Sequence, residues 1–170
     1  MPGKKVSDDG FNFQLELLKQ EIVLTDRAIE RIDGITQTVK NWAVVTWAGS
    51  IAAALGDKEL RQFILFTMVL PLIFWYIDGY WRYLQKRSIF RQQKISDFVN
   101  SDDFIESFRK KQLMNFVVLD PKGNQHRDTN EYRSTVNLRK TLFYKEVGRF
   151  YLSLATVSAL VGLYFLLAVK

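Results

Sequence analysis

Side chains that could carry out chemistry are few in this chain of 170 residues. The sequence has a single histidine, His126, and no cysteine. Without cysteine there is no disulfide framework, thiolate metal site or cysteine nucleophile, and one histidine cannot build a multi-histidine zinc site. No Walker loop, nucleotide-binding glycine turn, serine nucleophile elbow or His-Glu-x-x-His pair occurs. We therefore expect a protein that is not an enzyme and uses no cofactor or metal.

His126 lies in the polar segment 123–128, where a solvated side chain is its ordinary role. The catalytic alternative is the motif of HEPN-type ribonucleases, in which an arginine precedes the histidine by a few residues. The corresponding positions here are Leu119, Asp120 and Pro121, so the sequence predicts no nuclease activity.

Three apolar stretches set the predicted fold class. Residues 150–169 are uncharged between Arg149 and Lys170, and as a helix they would span about 30 Å, the thickness of a bilayer core. Two shorter apolar runs, 42–55 and 63–77, precede this one, and aromatic residues extend the second of them. We predict an all-α integral membrane protein with three transmembrane helices.

Loop length and charge predict the topology. The short connection 56–62 makes the first two spans a helical hairpin. The segment after the hairpin is rich in Lys and Arg, and the positive-inside rule places it in the cytoplasm. We expect a bacterial inner-membrane protein with its N-terminus in the cytoplasm and its C-terminus outside. The predicted regions are a cytoplasmic helix 1–40, a two-span hairpin 41–81, a basic cytoplasmic region 82–148 and a C-terminal span 149–170.

The net charge of +6 follows largely from this topology. Residues 82–99 are typical of a basic helix that begins at the bilayer surface, where each well-placed Lys or Arg contributes about 1 kcal/mol of attraction to anionic headgroups. The alternative is a surface for nucleic acid or nucleotide, but no nucleic-acid-reading motif is present, so we expect no nucleic-acid partner. The candidate lipid contacts are Arg82, Lys86, Arg87 and Arg91.

The N-terminal segment carries a heptad-like seam with spacings of three and four residues. The simplest interpretation is one helix from about Phe11 to Leu55, with Gly34 as its weak point. The seam either packs on the protein's own middle region or packs against identical helices around a symmetry axis. The candidate oligomerisation residues are Leu15, Leu18, Ile22, Ile29 and Ile32, and the seam also includes Thr25, Thr36 and Val39.

Asp78 is the most suggestive ionisable residue, because it follows an apolar run and a carboxylate within a membrane is costly. It can simply pair with Arg82, one helical turn later. In an oligomer, Asp78 with Thr46 and Ser50 could instead line or gate a polar path. Thr46 and Ser50 equally suit a close-packing face between helices.

The middle region is predicted to contain short elements. Residues 101–111 favour a helix with acids at its start and bases at its end. Residues 115–120 predict a short strand followed by a turn. Asp128 and Glu131 predict a capping box that starts a single helix over 129–169.

The chain combines Ile-Glu-Arg-Ile-Asp at 29–33 and Lys-Asn-Trp-Ala at 40–43 with a tight hairpin and Phe-Trp-Tyr-Ile-Asp at 74–78. This layout resembles the small multi-span membrane proteins of bacterial anti-phage defence, such as SLATT-type effectors and the membrane accessory protein of Cas13b CRISPR systems. The resemblance implies a homo-oligomer that permeabilises or depolarises the membrane when a cytoplasmic sensor protein signals. A non-conducting adaptor that recruits a cytoplasmic partner is the alternative.

Overall fold

A computed structural model describes the backbone of residues 2–168. No strand occurs among these residues, so the all-α prediction is confirmed. Two 3₁₀ helices, Arg61–Met68 and Asn124–His126, accompany the α-helices. The six α-helices are α1 Pro2–Gly56, α2 Val69–Val99, α3 Asp102–Lys110, α4 Asn130–Thr135, α5 Leu138–Leu142 and α6 Lys145–Ala168.

Helix α1 confirms the predicted continuous N-terminal helix and begins earlier than expected, at Pro2. Buried threonines along it return their hydroxyl groups to the preceding turn: Thr25 Oγ1 donates to the carbonyl of Ile22 at 2.8 Å, and Thr36 Oγ1 donates to the carbonyl of Asp33 at 3.0 Å. These bonds let threonine occupy seam positions without leaving a buried hydroxyl unpaired.

The chain divides into two compact units. The first comprises Met1–Arg31 with Leu84–Val136, and the second comprises Ile32–Tyr83 with Asn137–Lys170. The core of the first unit consists of Phe11, Leu18, Ile95, Phe98 and Leu113. The core of the second consists of Ala43, Val147 and Tyr151, with Phe74, Trp75 and Phe150 packed against it.

The strand predicted at 115–120 is wrong. Asn115 and Leu119 both have left-handed backbone conformations, with φ of 53° and 66°, which interrupt an extended segment. The N–H groups of Leu119 and Asp120 donate to the carboxylate of Glu21 at 2.8 and 3.0 Å. A side chain of α1 therefore supplies the acceptors that a neighbouring strand would have provided.

The single helix predicted over 129–169 is also wrong, because the chain breaks it into α4, α5 and α6. Asn137 starts α5 by accepting a hydrogen bond from the N–H of Lys140 at 3.2 Å. The indole N–H of Trp75 donates to the carbonyl of Leu142 at 2.8 Å, where α5 ends. The predicted capping residue shifts as well: Thr129, not Asp128, caps α4, and its Oγ1 accepts from the N–H of Tyr132 at 3.2 Å.

Two helical stretches, Arg61–Val99 and Asn130–Leu167, are long and apolar enough to cross a membrane. They contain most of the second and third predicted spans, although the end of the third, 169–170, lies outside the described residues. The first predicted span, 42–55, lies in α1 and is not one of these stretches. Its alanines, glycine and hydroxyl residues make it less apolar than the other two runs.

Glycines distinguish tight from open helix surfaces. A Cβ added at Gly162 on α6 would lie 2.5 Å from Leu65 Cδ2 and 3.3 Å from the Leu65 backbone nitrogen, whereas a Cβ at Gly34 meets nothing within 4 Å. We expect Gly162→Ala to destabilise the protein by about 1–3 kcal/mol through overpacking. Gly34→Ala should stabilise it by about 1 kcal/mol through helix propensity.

Thermal unfolding of the two variants in detergent, followed by circular dichroism, checks this prediction. The melting temperatures should move in opposite directions. A Gly162→Ala protein as stable as the parent would contradict the close approach between α6 and the 3₁₀ helix Arg61–Met68.

Candidate functional site

Asp78 lies in the second unit, and its side chain is fully buried. Arg82 lies one turn later on α2, and its Nε is 3.4 Å from Asp78 Oδ1. The hydroxyl of Tyr151 on α6 faces the same carboxylate, although neither group completes a hydrogen bond of good geometry with the described residues. Asp78 thus makes the ion pair that its spacing predicts, and it points into the protomer instead of toward an exposed path.

Thr46 and Ser50 lie half-buried on α1. The hydroxyl of Ser50 donates to the Thr46 carbonyl at 2.7 Å, so it is satisfied within its own helix. One turn away, the indole N–H of Trp47 donates to Ser158 Oγ of α6 at 2.7 Å. No local sequence pattern predicts this bond, although a serine in an apolar helix and a half-buried indole each favour a hydrogen-bond partner.

The candidate lipid-binding residues have diverse surroundings. Arg87 donates to the Tyr132 hydroxyl at 3.1 Å and to Asn124 Oδ1 at 2.8 Å. Lys86 is half-buried. Arg91 is fully buried, so it is not placed to contact lipid. The physical reason is a specific acceptor on α1, the Glu21 carboxylate.

The pair between Glu21 and Arg91 forms a buried ionic cluster with several hydrogen bonds in the first unit. Arg91 Nε donates to Glu21 Oε1 at 2.7 Å, and its Nη2 donates to Oε2 at 3.1 Å. Nη2 also donates to the Val117 carbonyl at 2.5 Å, and the guanidinium lies 4.5 Å from the centre of the Phe116 ring. This cluster holds the irregular segment 115–120 against α1.

The predicted oligomerisation seam is largely covered by the protein's own chain. Leu18 is in the core of the first unit, and Leu15 and Ile22 pack against that core. The carbonyl of Ile29 accepts a bond from Gln85 Nε2 at 3.3 Å, and Ile32 is buried at 9% exposure. Of the two roles left open for the seam, packing on the middle region is the one observed in the first unit.

His126 closes the 3₁₀ helix Asn124–His126 and is half-buried, with its ring centre 5.8 Å from that of Phe90. Burial lowers the pKa of the imidazole below its usual value, and the positive charges of Arg91 and Lys94 lower it further. The neutral ring is therefore favoured at neutral pH. The described residues contain no group of three or more His, Asp or Glu side chains that could hold a metal ion.

Together, these features define an all-helical protein with two helices that could cross a membrane and a buried ionic cluster in each unit. Comparisons with protein-family models, curated proteins and solved structures found no significant match to this chain.

Proposed function

We propose that this chain is an integral membrane protein of the bacterial inner membrane. The observation that carries the proposal is the low burial of its apolar helices. Only 28% of the most apolar 18-residue segment of Arg61–Val99 is buried, and only 22% of the corresponding segment of Asn130–Leu167. Helices this apolar would be mostly buried in a soluble core. Large side chains remain exposed on them, including Phe66 at 68%, Leu160 at 62% and Leu167 at 75%.

We further propose that several copies assemble and permeabilise the membrane in anti-phage defence. The supporting feature is the exposed face of α1 over 42–55, which includes Trp42, Val45 and the small residues Ala48, Gly49 and Ala52. This stretch is less apolar than the two spanning helices, so another protein helix suits it better than lipid does. Small residues allow such helices to approach closely. The N-terminus is proposed to lie in the cytoplasm and to respond to a sensor protein there.

Substitution of Gly49 tests this proposal. A Cβ at Gly49 or at Gly34 meets nothing within 4 Å in the chain, so both sites tolerate a larger side chain in the protomer. We expect induced expression of the parent protein to depolarise cells. Gly49→Leu should abolish most of the depolarisation by blocking helix–helix approach, and Gly34→Leu, outside the apolar run, should not. A potential-sensitive dye measures the effect, with the membrane fraction of each variant quantified in parallel.

The second candidate function is a non-conducting adaptor. Helix α3 favours it, because Ile105 and Phe108, three residues apart, are 59% and 51% exposed and form an apolar patch suited to a cytoplasmic partner. The adaptor predicts a normal membrane potential at high expression, even with the activating partner present. That result would exclude the effector proposal.

A further inference from the structure

The second unit contains a pocket of about 460 Å³ between the connection that follows α1 and the end of α6. Its lining combines two cations, one carboxylate, one amide and two apolar side chains. The lining residues are Lys58, Glu59, Arg61, Gln62, Phe165 and Leu166.

The pocket lies at the ends of both helices that could cross a membrane. Arg61 is the first residue of one stretch, and Leu167, next to Leu166 of the lining, is the last residue of the other. In a membrane-embedded chain, this is the depth at which acyl chains meet polar headgroups. The inference therefore rests on the proposed membrane location.

Arg61 has hydrogen-bonding capacity left for a ligand. Its Nη2 donates to the carbonyl of Leu55 at 3.3 Å, and the guanidinium lies 5.5 Å from the centre of the Phe165 ring. Its Nε is buried and has no hydrogen-bond partner among the described residues. A buried guanidinium N–H without an acceptor is costly, and a phosphate oxygen is the acceptor that arginine matches best.

The acidic groups nearby have different roles. Asp57 Oδ1 accepts a bond from the N–H of Glu59 at 2.8 Å, so the Asp57 carboxylate helps to form the turn. Glu59 lines the pocket beside Lys58 and Arg61. The lining therefore offers both positive charge for an anion and negative charge for a cation.

We propose that this pocket binds a phospholipid headgroup that carries both a phosphate diester and a primary ammonium, as phosphatidylethanolamine does. Arg61 and Lys58 hold the phosphate through charge-assisted hydrogen bonds. Glu59 accepts from the ammonium, which a choline headgroup cannot provide because its nitrogen has no N–H. The acyl chains begin along Phe165 and Leu166.

Lipid titration of the full chain in neutral detergent tests the inference, with bound lipid counted by native mass spectrometry. Phosphatidylethanolamine should bind more tightly than phosphatidylcholine or phosphatidylglycerol. Arg61→Gln and Lys58→Gln should each weaken its binding by about tenfold, the loss expected for one charge-assisted bond. Glu59→Gln should remove the preference for ethanolamine over choline. The control Arg133→Gln, which breaks an exposed pair with Asp128 at 3.0 Å, should have no effect.

Two further measurements separate the possible failures. Flotation with vesicles of defined composition reports membrane insertion alone, so a chain that does not float with vesicles contradicts the proposed location. A chain that floats but binds the three lipids equally, with no change in the Arg61, Lys58 or Glu59 variants, overturns the headgroup site. Binding of inorganic phosphate as tight as the binding of phosphatidylethanolamine also overturns the headgroup site, because the pocket would then be a general anion site.

Discussion

Replacing Arg91 with methionine is expected to lower the free energy of unfolding by about 3–5 kcal/mol, because a buried carboxylate loses its counter-ion. The side chains of Arg91 and Glu21 are 0% and 1% exposed, so water has little access to the carboxylate. The N–H groups of Leu119 and Asp120 would still donate to Glu21, but they would not neutralise its charge. Denaturant titration in detergent, followed by the helical circular dichroism signal, measures the loss.

The matched control is Lys94→Met on the same helix. Lys94 Nζ lies 2.8 Å from Glu131 Oε2, and the Glu131 side chain is 52% exposed. Solvent screens such a pair, so its removal should cost about 0–1 kcal/mol. Equal losses for Arg91→Met and Lys94→Met would show that the buried pair does not organise the first unit.

The double substitution Leu160→Arg and Leu163→Arg is expected to prevent α6 from inserting into the membrane. Both side chains lie on α6, three residues apart, and are 62% and 50% exposed. An arginine at the centre of a spanning helix costs about 2.5–3.5 kcal/mol on the insertion scale, so two should oppose insertion by about 5–7 kcal/mol. Alkaline phosphatase fused after Lys170 measures the loss of insertion, because this enzyme is active only outside the cytoplasm, where the C-terminus is predicted to lie.

Ile105→Arg provides the control. Ile105 is 59% exposed, close to the value for Leu160, but it lies on α3, outside both stretches that could cross a membrane. Its substitution should leave the phosphatase activity unchanged. If the Leu160 and Leu163 double variant keeps as much phosphatase activity as Ile105→Arg, then α6 does not cross the membrane.

Local sequence patterns predicted the long first helix and the apolar stretches. The continuity of α1 follows from unbroken three- and four-residue spacing, and the apolar character of the segments within Arg61–Val99 and Asn130–Leu167 follows from composition alone. The ion pair between Asp78 and Arg82 is also local, because residues four apart on a helix are neighbours. Each of these features depends on residues close together in the chain.

The wrong predictions for residues 115–120 and for Arg91 involve partners that are distant in the chain. Residues 115–120 have the composition of a strand, but the carboxylate of Glu21, nearly a hundred positions earlier, accepts their backbone hydrogen bonds. Arg91 looks like one basic residue among several at a bilayer surface, yet Glu21 draws it into the interior. The sequence contains both residues but does not show that they meet.

The sequence by itself determined the all-helical class, the long first helix and the presence of apolar stretches, because helix periodicity and hydropathy are properties of neighbouring residues. Only the tertiary structure decided which charges are buried and which face of α1 is covered. It also decided where the segment from Asn130 to Leu167 breaks into separate helices. These outcomes depend on which groups satisfy one another after folding, since a buried polar group is stable only beside a specific partner.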